Sequence, residues 1–230
     1  MAERTLLYYI TDRTAFPGDE STRRRRLLDK IAEAANAGVD YIQLREKDLP
    51  TRELELLAHE AAQIIRDQKL TIDNRQLATA LLINSRTDIA LATMADGVHL
   101  PSDDVSPEEV RAAWHGTRGR GRLSRENSRQ DPLISVSCHS PQETMQAAAN
   151  AATFAVFAPV FEKRDVPGTR PTGLDALRQA WRAKIPVFAL GGVTLQNAQS
   201  CVHAGAAGIA AIRLFQENKI AAVVHELRGH

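Results

Sequence analysis

The chain has 230 residues, 43% apolar and 25% charged, and its 29 Lys and Arg against 28 Asp and Glu leave a formal charge of +1. This composition excludes a disordered chain, and the balanced charge speaks against a dedicated nucleic-acid binder. Two cysteines, Cys138 and Cys201, are too few for a disulfide scaffold or a cysteine zinc site and suit a reducing cytoplasm, while the apolar run Leu6–Ile10 is too short for a signal segment or a membrane span.

In chain order, short β-rich runs alternate with stretches of helical period. The strand candidates are Leu6–Ile10, Val39–Leu44, Leu81–Asn84, Gly97–Leu100, Leu133–Ser137, Phe154–Phe157, Val187–Leu190 and Gly208–Ile212. Several are nearly continuous apolar runs, as expected of parallel strands covered on both faces. Between the first two, Arg24–Ala37 places Leu27, Leu28, Ile31, Ala34 and Ala35 at helical spacing and ends at Gly38. Thr51–Asp67 opens on Thr51 with Glu53 and Glu55 in its first turn. Leu70–Ala80 is an extra piece whose TIDNR run is a candidate short strand. Ser106–Pro107–Glu108–Glu109 combines an N-cap, a first-turn proline and the Glu of a capping box, and Ser140–Pro141–Gln142–Glu143 repeats that pattern. Thr194 opens a further helix, through Ala204 and closed by Gly205. Eight strands alternating with helices predict an α/β fold, a single (β/α)8 TIM barrel spanning residues 1–230; a doubly wound sheet is the alternative. Thr117–Pro132, rich in Arg, Gly and Ser, reads as a long basic loop before strand 5.

Active sites of barrels lie at the C-terminal ends of the strands. There the sequence places Thr11–Asp12–Arg13, Gln43 with Arg45, Glu46 and Lys47, Asn84–Ser85–Arg86, His99 with Ser102–Asp103–Asp104, Ser137 with His139, Glu162–Lys163–Arg164, Gly191–Gly192 and Arg213. Apolar strands ending in so many charges predict a polar, anion-binding mouth. Residues 43, 45 and 47 alternate, so they share one side if the extended conformation continues. Phosphate is the expected anion, because Gly191–Gly192 follows a strand and precedes a helix capped by Thr194.

Bland readings stand beside these. His99 ends a buried-looking strand and reads as a hydrogen-bonded structural histidine. His139 is open to a structural or a catalytic reading. Asp12 reads as an orienting residue for Arg45 or another mouth residue. Arg23–Arg26 reads as a solvated helix start and not a nucleic-acid patch. The arginines of the 117–132 loop are either a lid over an anion or a solvated loop. Cys138, Cys201, Trp114 and Trp181 read as packing residues.

Seven runs, in order along the chain, resemble the thiamine phosphate synthase family and its sister group, the TenI-type thiazole tautomerases. They are Tyr9–Asp12, Tyr41–Lys47, Ile83–Arg86, Ala95–Leu100, Ser135–His139, Pro186–Val193 and Ala204–Ala210. The Gln43–Leu44–Arg45–Glu46–Lys47 run is the most specific. The resemblance implies a cytoplasmic homo-oligomer, as a homodimer or larger, that joins aminomethylpyrimidine diphosphate to a thiazole phosphate with release of diphosphate. It implies that Gln43, Arg45 and Lys47 hold the pyrimidine diphosphate, Asn84 and Ser137 assist, and Gly191, Gly192, Ile212 and Arg213 fall on the thiazole phosphate. It also implies Mg2+, with Asp104 as a ligand.

Three departures qualify that implication. Ser85 stands where the family has an Asp that binds Mg2+. The family's Thr-x-Thr-Lys loop is replaced by Phe161–Thr169, where Lys163 or Arg164 is the substitute phosphate cation. Arg213 stands where the family has a serine. Because these losses fall mostly on metal and diphosphate handling, two alternatives stay open: a tautomerase with His139 as its acid/base, and a non-catalytic barrel that binds a thiazole phosphate. The Gln43–Arg45–Lys47 set favours the synthase, since a tautomerase has no pyrimidine to hold.

Overall fold

Period-two alternation within each strand sorts the apolar residues of this chain into two cores. The computed structural model describes residues 4–71, 79–118, 131–162 and 168–229. Eight parallel strands, β1 (Leu6–Ile10), β2 (Tyr41–Leu44), β3 (Ala80–Asn84), β4 (Gly97–Leu100), β5 (Leu133–Cys138), β6 (Phe154–Phe157), β7 (Val187–Ala189) and β8 (Gly208–Ala211), close into a barrel in sequence order. Tyr8, Ile10, Leu82, Phe154, Val156, Phe188 and Ala210 point inward and fill the barrel. Leu7, Tyr9, Ile42, Leu44, Leu81, Ile83 and Val98 belong to the second core, which the helices cover. Tyr8 meets Tyr41, Phe154 and Phe188 edge-on at ring separations of 5.7–5.9 Å, a favoured aromatic geometry.

The helices are α1 (Glu20–Asn36), α2 (Thr51–Thr71), α3 (Thr87–Ala92), α4 (Pro107–Arg118), α5 (Pro141–Ala149), α6 (Gly173–Ala180), α7 (Leu195–His203), α8 (Arg213–Gln216) and α9 (Ile220–Arg228). The expected (β/α)8 barrel is thus observed, and each predicted strand is present to within two residues at either end. α1 begins at Glu20, four residues before the expected start, because the Asp19 carboxylate caps Thr22 N at 2.9 Å. Arg23–Arg26 therefore lie inside the helix and not at its start. Cys138, Cys201 and Trp114 are buried as expected, but Trp181 is 61% exposed. It follows α6 in a 3-10 turn and lies over Gly205 at the surface instead of entering the core. The TIDNR strand candidate falls largely at 72–78, and the basic loop largely at 119–130; both stretches lie outside the described residues. Among the described residues no helix is long and apolar enough to cross a membrane.

Candidate active site at the C-terminal mouth

The last inward residues of β1 to β5 and of β8, with Ala158 and Leu190 just past β6 and β7, border a cavity of about 1020 Å³. Register explains the convergence: Ile10 lies opposite Gln43, and Asn84 opposite His99, so the inward phase of neighbouring strands reaches the rim at one level. Gln43, Arg45 and Lys47 all line the cavity, although β2 ends at Leu44 and Lys47 stands in a turn, so strand alternation does not reach it; Asn84, Ser137, His139, Gly191, Gly192, Ile212 and Arg213 join them. Of the candidate site residues, Lys163 lies outside the described residues. Asp104 is exposed and does not border the cavity; its carboxylate accepts Val105 N at 2.8 Å, whereas Asp103 beside it faces the space.

Gln43 is buried and donates through Nε2 to Asn84 Oδ1 at 2.8 Å, and Asn84 Nδ2 donates onward to Ser85 Oγ at 3.1 Å. Gln43 Oε1 is left without a hydrogen-bond partner among the described residues. A buried amide oxygen in that position is costly unless a donor arrives, so it marks where a ligand N–H fits. Opposite, His99 is hydrogen-bonded through Nδ1 to Ser135 Oγ at 2.6 Å and through Nε2 to Ser137 Oγ at 2.9 Å. Burial, then the positive charges of Arg45 and Lys47, pull its pKa down to about 3. A neutral imidazole holding two serines is the structural role expected for His99, here at the border of the cavity.

His139 is held differently. Its Nδ1 is bonded to the Ala158 carbonyl at 2.7 Å, which makes Nδ1 the donor and leaves Nε2 as the acceptor in the neutral ring. The main chain is fixed too, since His139 N donates to Glu143 Oε2 at 2.8 Å.

The glycine turn closes the far side. Gly191 and Gly192 have φ of +93° and +64°, and a Cβ on Gly192 would stand 2.4 Å from the Glu162 carbonyl oxygen. Bare backbone is therefore required here, next to the start of α7, where Asn197 caps Thr194 N at 2.8 Å. Arg213 opens α8 on the same side, 3.9 Å from Glu217.

Beneath the basic residues lies a network that pattern reading did not assign. Thr11, Arg13 and Glu46 are nearly inaccessible. The Arg13 guanidinium reaches Glu20 at 2.6 Å, Glu46 at 3.2 Å and Asp48 at 2.6 Å. Burial raises the Glu46 carboxyl pKa, and bonds from Thr11 and Arg13 oppose that rise. Asp12, expected to orient Arg45 or another mouth residue, caps its own turn through Thr14 N at 3.1 Å; Thr11 is the residue whose hydroxyl accepts the Arg45 main-chain N–H. The available signal was an acidic residue in opposite phase to two bases.

A closed (β/α)8 barrel with basic and amide side chains on one wall and a glycine turn before a helix on the other defines a phosphate-handling enzyme of the TIM-barrel class. The thiamine monophosphate synthase family model matches residues 7–215, and the chain belongs to that family. It is 35% identical over 212 residues to a thiamine-phosphate synthase of Syntrophomonas wolfei, covering 90% of this chain and 86% of that one. To the thiamine-phosphate synthase of Roseiflexus castenholzii it is 34% identical over 211 residues, covering 91% and 80%. The structure is similar to that of thiamine phosphate pyrophosphorylase from Pyrococcus furiosus, with a TM-score of 0.74, 27% identity and coverage of 97% and 94%.

Proposed function

We propose that this protein is a transferase of thiamine biosynthesis that couples aminomethylpyrimidine diphosphate to a thiazole phosphate and releases diphosphate. The observation that carries the reading is that Gln43, Arg45 and Lys47 face the same cavity as the Gly191–Gly192 turn. One wall thus suits a diphosphate-bearing pyrimidine and the other a monophosphate. The C–O bond from the pyrimidine methylene to diphosphate breaks, its electron pair leaving with the diphosphate. The thiazole nitrogen lone pair then forms the new C–N bond. Arg45 offers a forked donor and Lys47 a point charge to the departing oxygens. Gln43 Oε1 accepts from the pyrimidine amino group, with Asn84 fixing the amide. Ser137 supplies a hydroxyl whose direction His99 sets. Main-chain N–H groups near Gly192, with Ile212 and Arg213, take the thiazole phosphate. Catalysis is then charge neutralisation and alignment.

The carboxylate of Asp103, which borders the cavity, is a hard oxygen donor that suits Mg2+, an ion that commonly binds through one or two carboxylates plus phosphate oxygens and water; Asp104 would have to release Val105 N to join it. Ser85 brings a hydroxyl already engaged by Asn84, so the site would hold the ion weakly until diphosphate completes it. When bound, Mg2+ would supply further positive charge to the diphosphate. The family resemblance also supports a homodimer, and the two buried free cysteines suit a cytoplasmic setting.

The test is a chromatographic product assay with both substrates and Mg2+, against a chelated control. Metal-dependent thiamine phosphate is expected. Absence of product from folded protein would overturn the transferase reading. One observation favours a second reading: with Nδ1 on a carbonyl, His139 Nε2 is set to accept a proton, as a thiazole tautomerase would require.

A further inference from the structure

The β2 ladder ends before the residues that need it most. Thr11 N donates to Gln43 O at 3.0 Å, the last rung between β1 and β2, and β2 stops at Leu44. Arg45 and Lys47 lie beyond it, yet both face the cavity. Side chains continue the rungs. Arg45 N donates to Thr11 Oγ1 at 2.9 Å, and the Thr11 hydroxyl donates to Glu46 Oε1 at 2.6 Å. Glu46 Oε2 accepts from Arg13 N at 3.0 Å and from Arg13 Nη1 at 3.2 Å. Arg13 then grips Asp48 through both terminal nitrogens, at 2.6 and 2.8 Å. The even-numbered acids 46 and 48 are thus held to the outer side by one buried guanidinium. A turn at 47–48, with Leu49 N reaching the Glu46 carbonyl at 3.4 Å, closes the segment, and the odd-numbered bases 45 and 47 are left bordering the cavity.

We propose that Thr11, Glu46 and Arg13 are positioning residues whose clamp fixes the segment just past the β2 ladder and aims Arg45 and Lys47 at the diphosphate. The inference rests on the diphosphate reading above. Because the clamp sits between β1 and β2, its effect is confined to the diphosphate wall. The thiazole phosphate wall, built on β7, β8 and the glycine turn, supplies no side chain to the clamp among the described residues; Gln216 of α8 meets only the Asp12 main chain, at 3.0 and 2.8 Å, which the Thr11 variants leave in place.

Thr11→Val keeps the shape of the side chain and removes both of its hydrogen bonds; Thr11→Ser keeps the hydroxyl. Two bindings are measured on folded protein, inorganic diphosphate and thiazole phosphate, along with the KM for each substrate. Thr11→Val is expected to weaken diphosphate binding about tenfold or more, the effect of losing buried hydrogen bonds to Arg45 and Glu46. Thiazole phosphate affinity is expected to stay at the wild-type value, and Thr11→Ser to restore diphosphate affinity. Unchanged diphosphate binding in Thr11→Val, or equal loss of both ligands, overturns the clamp. Should Thr11→Val not fold, Glu46→Gln carries the same comparison and the same criteria. Wild-type protein that binds no diphosphate and forms no product overturns the functional reading and the clamp together, whereas failure confined to the variants overturns the clamp alone.

Discussion

His99 shows how one buried side chain ties stability to the cavity. Both ring nitrogens are engaged, by Ser135 and Ser137, and Ser135 also lies 3.3 Å from the Tyr8 hydroxyl. A neutral imidazole has one donor and one acceptor, so one serine must give and the other receive, and the chain from Tyr8 to Ser137 has a direction. An unfolded histidine titrates near 6.5, and the folded one is held at about 3. As pH falls below 6.5 the unfolded chain binds a proton that the native state refuses. The stability contribution is therefore full above that value and is lost on the way down to about 3, at roughly 1 kcal/mol per pH unit. Urea titrations of wild type and His99→Asn between about pH 6 and pH 4 are expected to give a shallower pH slope for the variant; equal slopes would refute the assignment. At this scale the sequence was informative where a short local run carries the pattern, as in Gln43, Arg45 and Lys47 at and just past the end of β2. It was silent on Thr11–Glu46 and Arg13–Glu46, because a hydrogen bond between two strand ends leaves no periodicity in either.

Helix caps carry the same lesson one level up. Ser140 Oγ accepts Glu143 N at 3.1 Å, while Glu143 Oε2 accepts His139 N at 2.8 Å, so the N-cap of α5 and its Glu143 also fix the main chain of a cavity residue. Ser140→Ala is expected to cost about 1 kcal/mol of stability, read from the shift in the urea midpoint at constant slope. A variant as stable as wild type would show that the cap is idle. The helices with cap signatures, α4, α5 and α7, were legible for this reason. α3, α6, α8 and α9 were not, and in each the N-cap residue, Arg86, Thr172, Ile212 or Lys219, makes no side-chain capping hydrogen bond to the helix. Their formation rests on burying residues such as Ile89, Leu177, Phe215 and Ile220 against strands distant in sequence, which a local pattern does not reveal. The strands, by contrast, were legible as a set, because a barrel strand is apolar on both faces.

In the whole molecule, the two ends of the barrel divide their work. The C-terminal mouth brings Arg45, Lys47 and Arg213, with the acids Asp103, Glu162 and Glu217, around one cavity, an arrangement that serves ligands and not the fold. The N-terminal end is where the ring is tied. β1 pairs with β8 there, and Asp40, just before β2, accepts Leu7 N at 2.7 Å and pairs with Arg228 at 2.7 Å and with Arg4. Arg228, from the last helix, also reaches the Gly38 carbonyl at 3.0 Å and the Thr5 carbonyl at 3.3 Å, so α9, β1 and the approach to β2 meet at one guanidinium. Its side chain is 6% exposed, and burial is the main reason its pKa is lowered. Removing Asp40 would leave that charge buried with carbonyl partners alone. Asp40→Ala is therefore expected to destabilise the protein by about 3 kcal/mol. Thiamine phosphate formation by the folded fraction is expected to keep its wild-type kcat/KM, because the tie lies a strand's length from the mouth. Urea unfolding and steady-state kinetics on one preparation measure both. A fall in kcat/KM under conditions where the variant is fully folded would show that the two ends are coupled and that the tie also shapes the cavity.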